Sequence, residues 1–405
     1  MIKIIEGGVT AAKGFKAGGI YSGIKKNSEK PDLALIASDT LCNAAAVYTK
    51  NKVKAAHIPV TQRHLANGKA QAVMCNSGNA NACTPDGEEI AEKATAIAAE
   101  CLGINKDDVL PAATGVIGEP LPIDPFEKAM PELAASLSYE GSAAAALAIM
   151  TTDTYTKEYA VQFEAGGKTC TIGGIAKGSG MIHINMGTML SFISTDCAVS
   201  GEMLSKALHD EIADSYNQVS VDGDTSTHDT LVLLSNGLAG NEEIKAEGAD
   251  YAEFCEALHV VSVALSKMIA GDREGCTKLL EAHVKGAPDK DTARIVSKSI
   301  VCSSLFKAAV FASDANWGRI LCAIGYSDAE FNASDIEVSV KSDVGEVLVC
   351  KASASVPFDD DFATKILSRE AVTVEVDLHD GSGEAYAWGC DLTYDYVKIN
   401  GSYRS

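Results

Sequence analysis

The sequence predicts a mixed α/β protein of the α+β class. Apolar stretches with strand-like alternation and longer stretches with helical spacing are interspersed along the whole chain, and no segment repeats at a fixed period. Composition agrees: 46% hydrophobic and 22% charged residues, with 35 Gly and only 10 Pro in 405 residues, is ordinary globular usage and excludes disordered or collagen-like chains. At roughly 150 residues per domain, this length predicts two or three folded units.

Taken in order, 33–36, 44–48 and 70–74 read as buried strands, the last entering a polar turn over 75–81. Asp86, with Glu89 three residues on, forms a capping-box pattern before Ile90, Ala94, Ile97, Ala98 and Cys101 recur at helical spacing. The Ala-rich stretch 124–150 reads as helix, and 159–163 and 169–175 alternate as strands. Further on, 189–193 and 230–234 read as strands, and 201–216 and 251–269 as helices, the second ending before Gly271. The C-terminal third reads as strands at 336–340, 346–350, 372–376 and 393–399, with a turn at Asp380-Gly381-Ser382-Gly383. A soft boundary at 240–285 divides the chain into segments 1–240 and 241–405.

Lys and Arg total 34 against 55 Asp and Glu, a net charge of −21. Such a surface repels nucleic-acid phosphates and anionic membranes, so neither is an expected partner, and any anion site must be local. The 12 Cys show neither CxxC pairs nor zinc-type spacing and read as small buried residues in a reducing compartment. No run of 18 apolar residues predicts a membrane span, and the apolar stretch before Gly7-Gly8 is too short for a signal-peptide core. A soluble cytoplasmic protein is the expectation.

Several segments could carry chemistry. Gly173 to Gly180 is Gly-rich after a strand, but Lys177 precedes Gly178 where a nucleotide loop ends Gly-Lys-Ser/Thr, so it reads as a turn. Asp222-Gly223-Asp224, followed by Thr225, Ser226, Thr227, His228 and Asp229, is dense in oxygen ligands yet lacks EF-hand spacing; it reads as a hydrogen-bonded turn, and no metal is expected. Asp314 to Arg319 reads as a helix start capped by Asp314 or Asn316. The eight His, at 57, 64, 183, 209, 228, 259, 283 and 379, show no helical metal spacing and give no Ser-His-Asp triad. Gly187-Thr188 is different in kind. If Thr188 Oγ attacks the Gly187 carbonyl, a residue without Cβ tolerates the distorted backbone, and hydrolysis of the resulting ester leaves Thr188 with a free α-amine. That amine, of pKa about 8, is a general base for its own hydroxyl.

The order Lys177-Gly-Ser-Gly-Met181 and Asn185-Met-Gly-Thr-Met-Leu190 resembles the processing site of the ornithine acetyltransferase family, the self-cleaving glutamate N-acetyltransferases of arginine biosynthesis. The likeness continues through Asn76 to Cys83, Ala113 to Gly118, Met150 to Thr154, Val221 to Thr227, Asp314 to Leu321 and Asn400 to Ser405. It implies an αββα-like layered core, as in N-terminal-nucleophile hydrolases, and a C-terminal α/β lobe that completes the substrate site. It implies cleavage at 187/188 into chains 1–187 and 188–405, which stay together as α2β2. The resemblance makes Thr188 the nucleophile, Thr114 and Gly115 the oxyanion hole, and Thr151, Lys177, Thr188, Glu274, Asn400 and Ser405 the substrate site. Read alone, Thr114-Gly115 is an ordinary turn, Lys177 a solvated lysine, and Asn400 and Ser405 a frayed terminus.

The implied reaction is ping-pong transfer of acetyl from N-acetylornithine to glutamate, with no cofactor; acetyl-CoA is a further donor in some members. An N-terminal-Thr amidohydrolase or aminopeptidase, an acetyltransferase with another acceptor, and an uncleaved amino-acid-binding protein are the competing readings. The chain departs from the family at His183-Ile184, usually Ala-Pro, at Gly187, usually Ala, and at Gly271 to Cys276, usually Arg-Asp-Gly-Glu-Gly-Ala. These bear on substrate preference, and His183 reads as a tolerated neighbour of the nucleophile.

Overall fold

The stretches 33–36 and 44–48 are a single strand in the computed structural model, which describes residues 2–26, 28–183, 189–272 and 274–401. Residues up to Gly178, those from 189 to Ile212, and Thr225–Leu265 make one compact unit; the remainder make a second. The first is built on a nine-stranded sheet. Its strands are β1 (Lys3–Ile5), β2 (Phe15–Ile20), β3 (Leu33–Tyr48), β4 (Lys69–Asn79), β5 (Val109–Val116), β6 (Lys157–Ala165) and β7 (Lys168–Lys177). Two short strands, β8 (Ile182–His183) and β10 (Ser220–Thr225), pair separately, and β9 (Leu190–Thr195) and β11 (Thr230–Ser235) complete the sheet in the order β1-β6-β7-β9-β11-β3-β4-β5, with β2 on β3. A register shift between Ala37 and Cys42 exposes 39–41 and bends β3, so that its first half pairs with β2 and its second with β11.

Helices cover this sheet as the sequence periodicity demands. After α1 (His57–His64), α2 (Gly87–Leu102) and α3 (Asp124–Ala135) bury Ile90, Ala94, Ala98, Phe126, Met130 and Leu133 against Leu33, Leu35 and Met74 on one face. On the opposite face α4 (Ser142–Ile149) shares a core with Ile36 and Val73 from β3 and β4, and with Ile175, Phe192 and Val232 from β7, β9 and β11. Beyond α5 (Gly201–Glu211), α6 (Ala249–Ala270) supplies the outer helical layer, with the Phe254 ring 6.2 Å from Phe163 of β6. The result is the αββα layering that the resemblance implied.

The second unit carries a six-stranded sheet, β12 (Leu279–Ala287), β13 (Glu337–Ser342), β14 (Gly345–Lys351), β15 (Ala354–Ser355), β16 (Ala371–Asp377) and β17 (Gly383–Cys390), ordered β15-β14-β13-β16-β12-β17. Strict alternation in β12 and β16 places Leu280, Ala282, Val284, Val372, Val374 and Val376 in the core. The helices α7 (Lys290–Cys302), α8 (Ser304–Phe311), α9 (Trp317–Gly325) and α10 (Asp360–Leu367) pack on that face. This is the C-terminal α/β lobe.

Several expectations are corrected. The capping box at Asp86 does not form, because Asp86 has ψ 5° and its side chain accepts no hydrogen bond. The helix expected over 124–150 is two, interrupted where Ser138 exchanges backbone hydrogen bonds with Ala17 of β2 at 2.9 and 3.1 Å. Residues 75–79 continue β4 instead of turning. The strand expected at 393–399 is the helix α11 (Tyr394–Asn400): Thr393 Oγ1 accepts from Tyr396 N at 3.1 Å, a local cap that overrides β-favouring Tyr, Val and Ile. The strands β12 and β17 and the helices α7, α8 and α10 carried no signal that was read. At 314–319 the cap is Asn316, whose Oδ1 accepts from Arg319 N at 3.3 Å.

The two units differ from the continuous segments 1–240 and 241–405. Segments 179–184 and 213–224 go with the second unit, and 241–265 with the first. The reason for the latter is side-chain packing: besides Phe254 on Phe163, His259 Nδ1 lies 3.1 Å from Glu211 of α5, and Val199 bridges Ile244. Phe254→Ala is therefore expected to cost about 3–5 kcal/mol in urea unfolding of the first unit; a loss below about 1 kcal/mol would remove α6 from its core.

Candidate active site

In the first unit, Thr114 and Gly115 stand near the end of β5, not in an ordinary turn, where parallel pairing with β4 goes out of register at Gly78 and Asn79. Gly115 has φ +135°, and a Cβ there would lie 2.3 Å from the Gly78 carbonyl carbon, so both conformation and space require glycine. Thr114 is 1% exposed. Its Oγ1 lies 3.0 Å from His228 Nε2 and accepts from Lys177 Nζ at 3.3 Å. On the other side of the imidazole, Nδ1 is 3.0 Å from Ser226 Oγ and 3.3 Å from Thr227 Oγ1. Burial, then the Lys177 charge and His57, push the His228 pKa well below its ordinary value, so the ring is neutral.

Lys177 ends β7 and is 7% exposed, not the solvated lysine that base rates favour. It belongs to a buried charge cluster centred on Asp153. Asp153 Oδ1 accepts from Lys157 Nζ at 2.8 Å and Gly178 N at 2.7 Å, and Oδ2 from Thr151 N at 3.0 Å. Burial works to raise the Asp153 pKa, but the Lys157 and Lys177 charges and these hydrogen bonds outweigh it and hold the carboxyl well below the usual range. Lys25 stands beside the same group: its side chain covers Gly78, where a Cβ would meet Lys25 Cγ at 2.7 Å, and burial lowers its pKa. Asp32 fixes that turn, accepting from Ser22 N at 2.6 Å, Ser22 Oγ at 2.7 Å and Lys25 N at 2.9 Å. Lys25, Lys157 and Lys177 thus stand against Asp32 and Asp153, a net positive centre inside a chain of charge −21.

The second unit brings Glu274 and Asn400 together. Ser179 Oγ donates to Glu274, which is 4% exposed. A Cβ on Gly180 would lie 3.2 Å from Glu274 Oε2 and 3.1 Å from Asn400 Oδ1, so both side chains close on this glycine. Asp222 of β10 holds the segment in place, accepting from Met181 N at 2.6 Å, Ile182 N at 2.8 Å and Tyr396 OH at 2.9 Å. Its oxygens serve protein donors, in a strand and not the turn expected there. Thr393, which caps α11, also donates to the Gly275 carbonyl and links the 274–277 stretch to the helix carrying Asn400. His183 Nδ1 lies 3.1 Å from Ser220 Oγ and 3.5 Å from Cys302 Sγ, and burial with the Lys298 charge lowers its pKa to about 4.

Thr188, Gly187, Ile184 and Ser405 lie outside the described residues. Of the other expected site residues, Thr114, Gly115, Thr151 and Lys177 share one network and Glu274 and Asn400 another. Asp153, Lys157, His228 and Asp222 were not singled out as site residues. Asp153 lay inside a family block, but its partners are brought to it by tertiary folding, which leaves no spacing to read.

Asp153→Asn leaves Lys157 buried without its counter-charge, an expected loss of about 3–5 kcal/mol near neutral pH. A depressed folded pKa contributes stability above the unfolded pKa of about 4 that is lost as pH falls towards the folded value. The stability gap between wild type and Asp153→Asn in denaturant titrations is therefore expected to be constant above about pH 5 and to close in more acid solution. A gap independent of pH would contradict the assignment.

The ArgJ family model matches residues 16–405. The arginine biosynthesis bifunctional protein ArgJ of Symbiobacterium thermophilum is 50% identical over 403 residues, 99% of each chain. ArgJ 1 of Clostridium acetobutylicum is 49% identical over 406 residues, covering 100% of this chain and 99% of its own. Among solved structures, the crystal structure of the arginine biosynthesis bifunctional protein from Bacillus halodurans is 44% identical with a TM-score of 0.51, over 53% of this chain and 100% of that one. With a match along nearly the whole length and relatives at half identity, the chain belongs to the ArgJ family, the ornithine acetyltransferases its motifs resemble, and is an acyltransferase, a glutamate N-acetyltransferase.

Proposed function

We propose that this enzyme moves the acetyl group of N-acetylornithine to glutamate through an acetyl ester on Thr188, after cutting its own chain between Gly187 and Thr188. In the cut, Thr188 Oγ adds to the Gly187 carbonyl, the C–N bond breaks in favour of an ester, and water hydrolyses that ester. The products are a Gly187 carboxylate and a free Thr188 α-amine. In the reaction this amine takes the hydroxyl proton while Oγ attacks the acetyl carbonyl. Thr114 Oγ–H and Gly115 N–H donate to the oxyanion, and the amine of ornithine leaves with a proton. Glutamate then enters, and its amine attacks the ester and restores Thr188.

Lys177 binds the α-carboxylate of each amino acid in turn, Glu274 pairs with the ornithine side-chain ammonium, and Thr151, Asn400 and Ser405 supply further hydrogen bonds. No cofactor enters this cycle; acetyl-CoA is a second donor in the same reading. The two pieces remain together as α2β2 in the cytoplasm.

The observation that carries this reading is the Thr114 hydroxyl, held by Lys177 beside a glycine N–H in a net positive centre, since an acyl-transfer oxyanion and an α-carboxylate both need such a place. The length of the Bacillus halodurans chain supports the cut: 53% of this chain matches all of it, and residues 188–405, 218 in number, are about 54% of 405. Membership of an acyltransferase family favours transfer over hydrolysis or passive binding.

Intact mass under denaturing conditions is expected to show two pieces meeting at Gly187/Thr188 in wild type and one chain in Thr188→Ala. A wild type that remains whole would remove the α-amine base and with it the mechanism. In the cleaved enzyme, Glu274→Gln is expected to raise KM for N-acetylornithine about 10- to 100-fold, by loss of a charge-assisted hydrogen bond worth about 1.5–3 kcal/mol. An unchanged KM would take Glu274 out of the substrate site, and an acceptor panel scored beside glutamate tests acceptor choice.

A further inference from the structure

We propose that His228 is a positioning residue for the oxyanion site: by donating its Nε2–H to Thr114 Oγ1 it leaves the threonine proton free for the oxyanion. The inference rests on the reading of Thr114 as an oxyanion donor and adds what makes it one.

A threonine hydroxyl has one proton and two lone pairs. Lys177 Nζ can only donate, and at 3.3 Å it occupies one lone pair of Thr114 Oγ1. The contact of 3.0 Å to His228 Nε2 admits two states. If Nε2 accepts, it consumes the only Thr114 proton, and the hydroxyl has nothing to offer an oxyanion. If Nε2 donates, both lone pairs are filled by protein donors and the proton must point elsewhere.

The other side of the ring selects between them. Nδ1 has two hydroxyls near it, Ser226 Oγ at 3.0 Å and Thr227 Oγ1 at 3.3 Å. The backbone N–H of His228 donates to Ser226 Oγ at 3.3 Å, which leaves the Ser226 proton for Nδ1. With Nδ1 accepting, a neutral imidazole carries its single proton on Nε2. A second ring proton would place an imidazolium against the Lys177 ammonium in a buried setting, and the depressed pKa of His228 agrees with its exclusion. Lys177 alone cannot do the same work, because one donor leaves the hydroxyl proton free to turn to any nearby acceptor. The pair of donors gives it a direction before the reaction begins.

The test compares His228→Leu, His228→Gln, Thr114→Val and the double variant Thr114→Val/His228→Leu, with kcat and KM for N-acetylornithine normalised to the cleaved fraction by intact mass. Leu removes the donor; Gln offers an amide N–H at a similar reach. His228→Leu is expected to lower kcat about 10²- to 10³-fold with KM within about 3-fold, and His228→Gln to recover to within about 10-fold of wild type. The double variant is expected to be no slower than Thr114→Val, because His228 acts only through Thr114. Losses that multiply in the double variant, or a folded His228→Gln of unchanged thermal midpoint as slow as Leu, would overturn the proposal. A normal kcat in His228→Leu beside a slow Thr114→Val would overturn it and leave the oxyanion reading standing. A normal kcat in Thr114→Val would sink both.

Discussion

The Asp153 carboxylate is the constraint around which the first unit's charged site is arranged. It accepts from Lys157 Nζ, Gly178 N and Thr151 N at 2.8, 2.7 and 3.0 Å, and so ties the start of β6, the end of β7 and the segment after α4 to one point. Lys157 and Asp153 side chains are both fully buried, where an isolated charge costs several kcal/mol. The pair persists because each partner answers the other and the remaining lone pairs are filled from the backbone. Lys177 shares this anion electrostatically but directs its Nζ to Thr114. The protein thereby keeps one ammonium available for a carboxylate or an oxyanion without placing a bare cation in its core.

That arrangement explains how an acidic chain serves anionic chemistry. A net charge of −21 sets an unfavourable long-range field for a carboxylate substrate, but the field is screened within about 8–10 Å at physiological salt. At contact distance, buried groups in a low-dielectric setting dominate. Local excess of Lys25, Lys157 and Lys177 over Asp32 and Asp153 is what a carboxylate meets in this unit. The second unit presents the opposite chemistry through Glu274 and Asn400, a carboxylate and an amide suited to an amine-bearing side chain.

Legibility in the sequence follows the range of the interactions. Strands with continuous apolar runs, such as 70–74 and 230–234, and the amphipathic α2 were readable because local pattern and final burial coincide. The helix at 394–400 was not, because a single capping threonine decided against residues that favour strands. The αββα layering came from the likeness of ordered motifs, since periodicity alone does not say which faces meet. Thr114 and Gly115 were likewise found by likeness; on their own they resemble any turn, and what distinguishes them is the 2.3 Å approach to Gly78 and the contacts from Lys177 and His228. His228 lies 114 residues from Thr114, and in the sequence it is one of eight scattered histidines beside an oxygen-rich stretch.

The division of labour around Thr114 follows from counting donors. An oxyanion site is useful only if its hydrogen-bond donors are oriented before charge develops, because reorienting them in the transition state costs the free energy they would supply. A glycine N–H on a strand is oriented by the backbone, and Gly115 is fixed further by an approach to β4 that no side chain would permit. A hydroxyl rotates, so its direction must come from what fills its lone pairs. Lys177 and His228 fill them from β7 and from the stretch before β11, two elements placed by the same sheet that carries Thr114. The nine-stranded order, which sets β7 and β11 on either side of β9 and joins β11 to β5 through β3 and β4, is thus the structural origin of a directed hydroxyl proton.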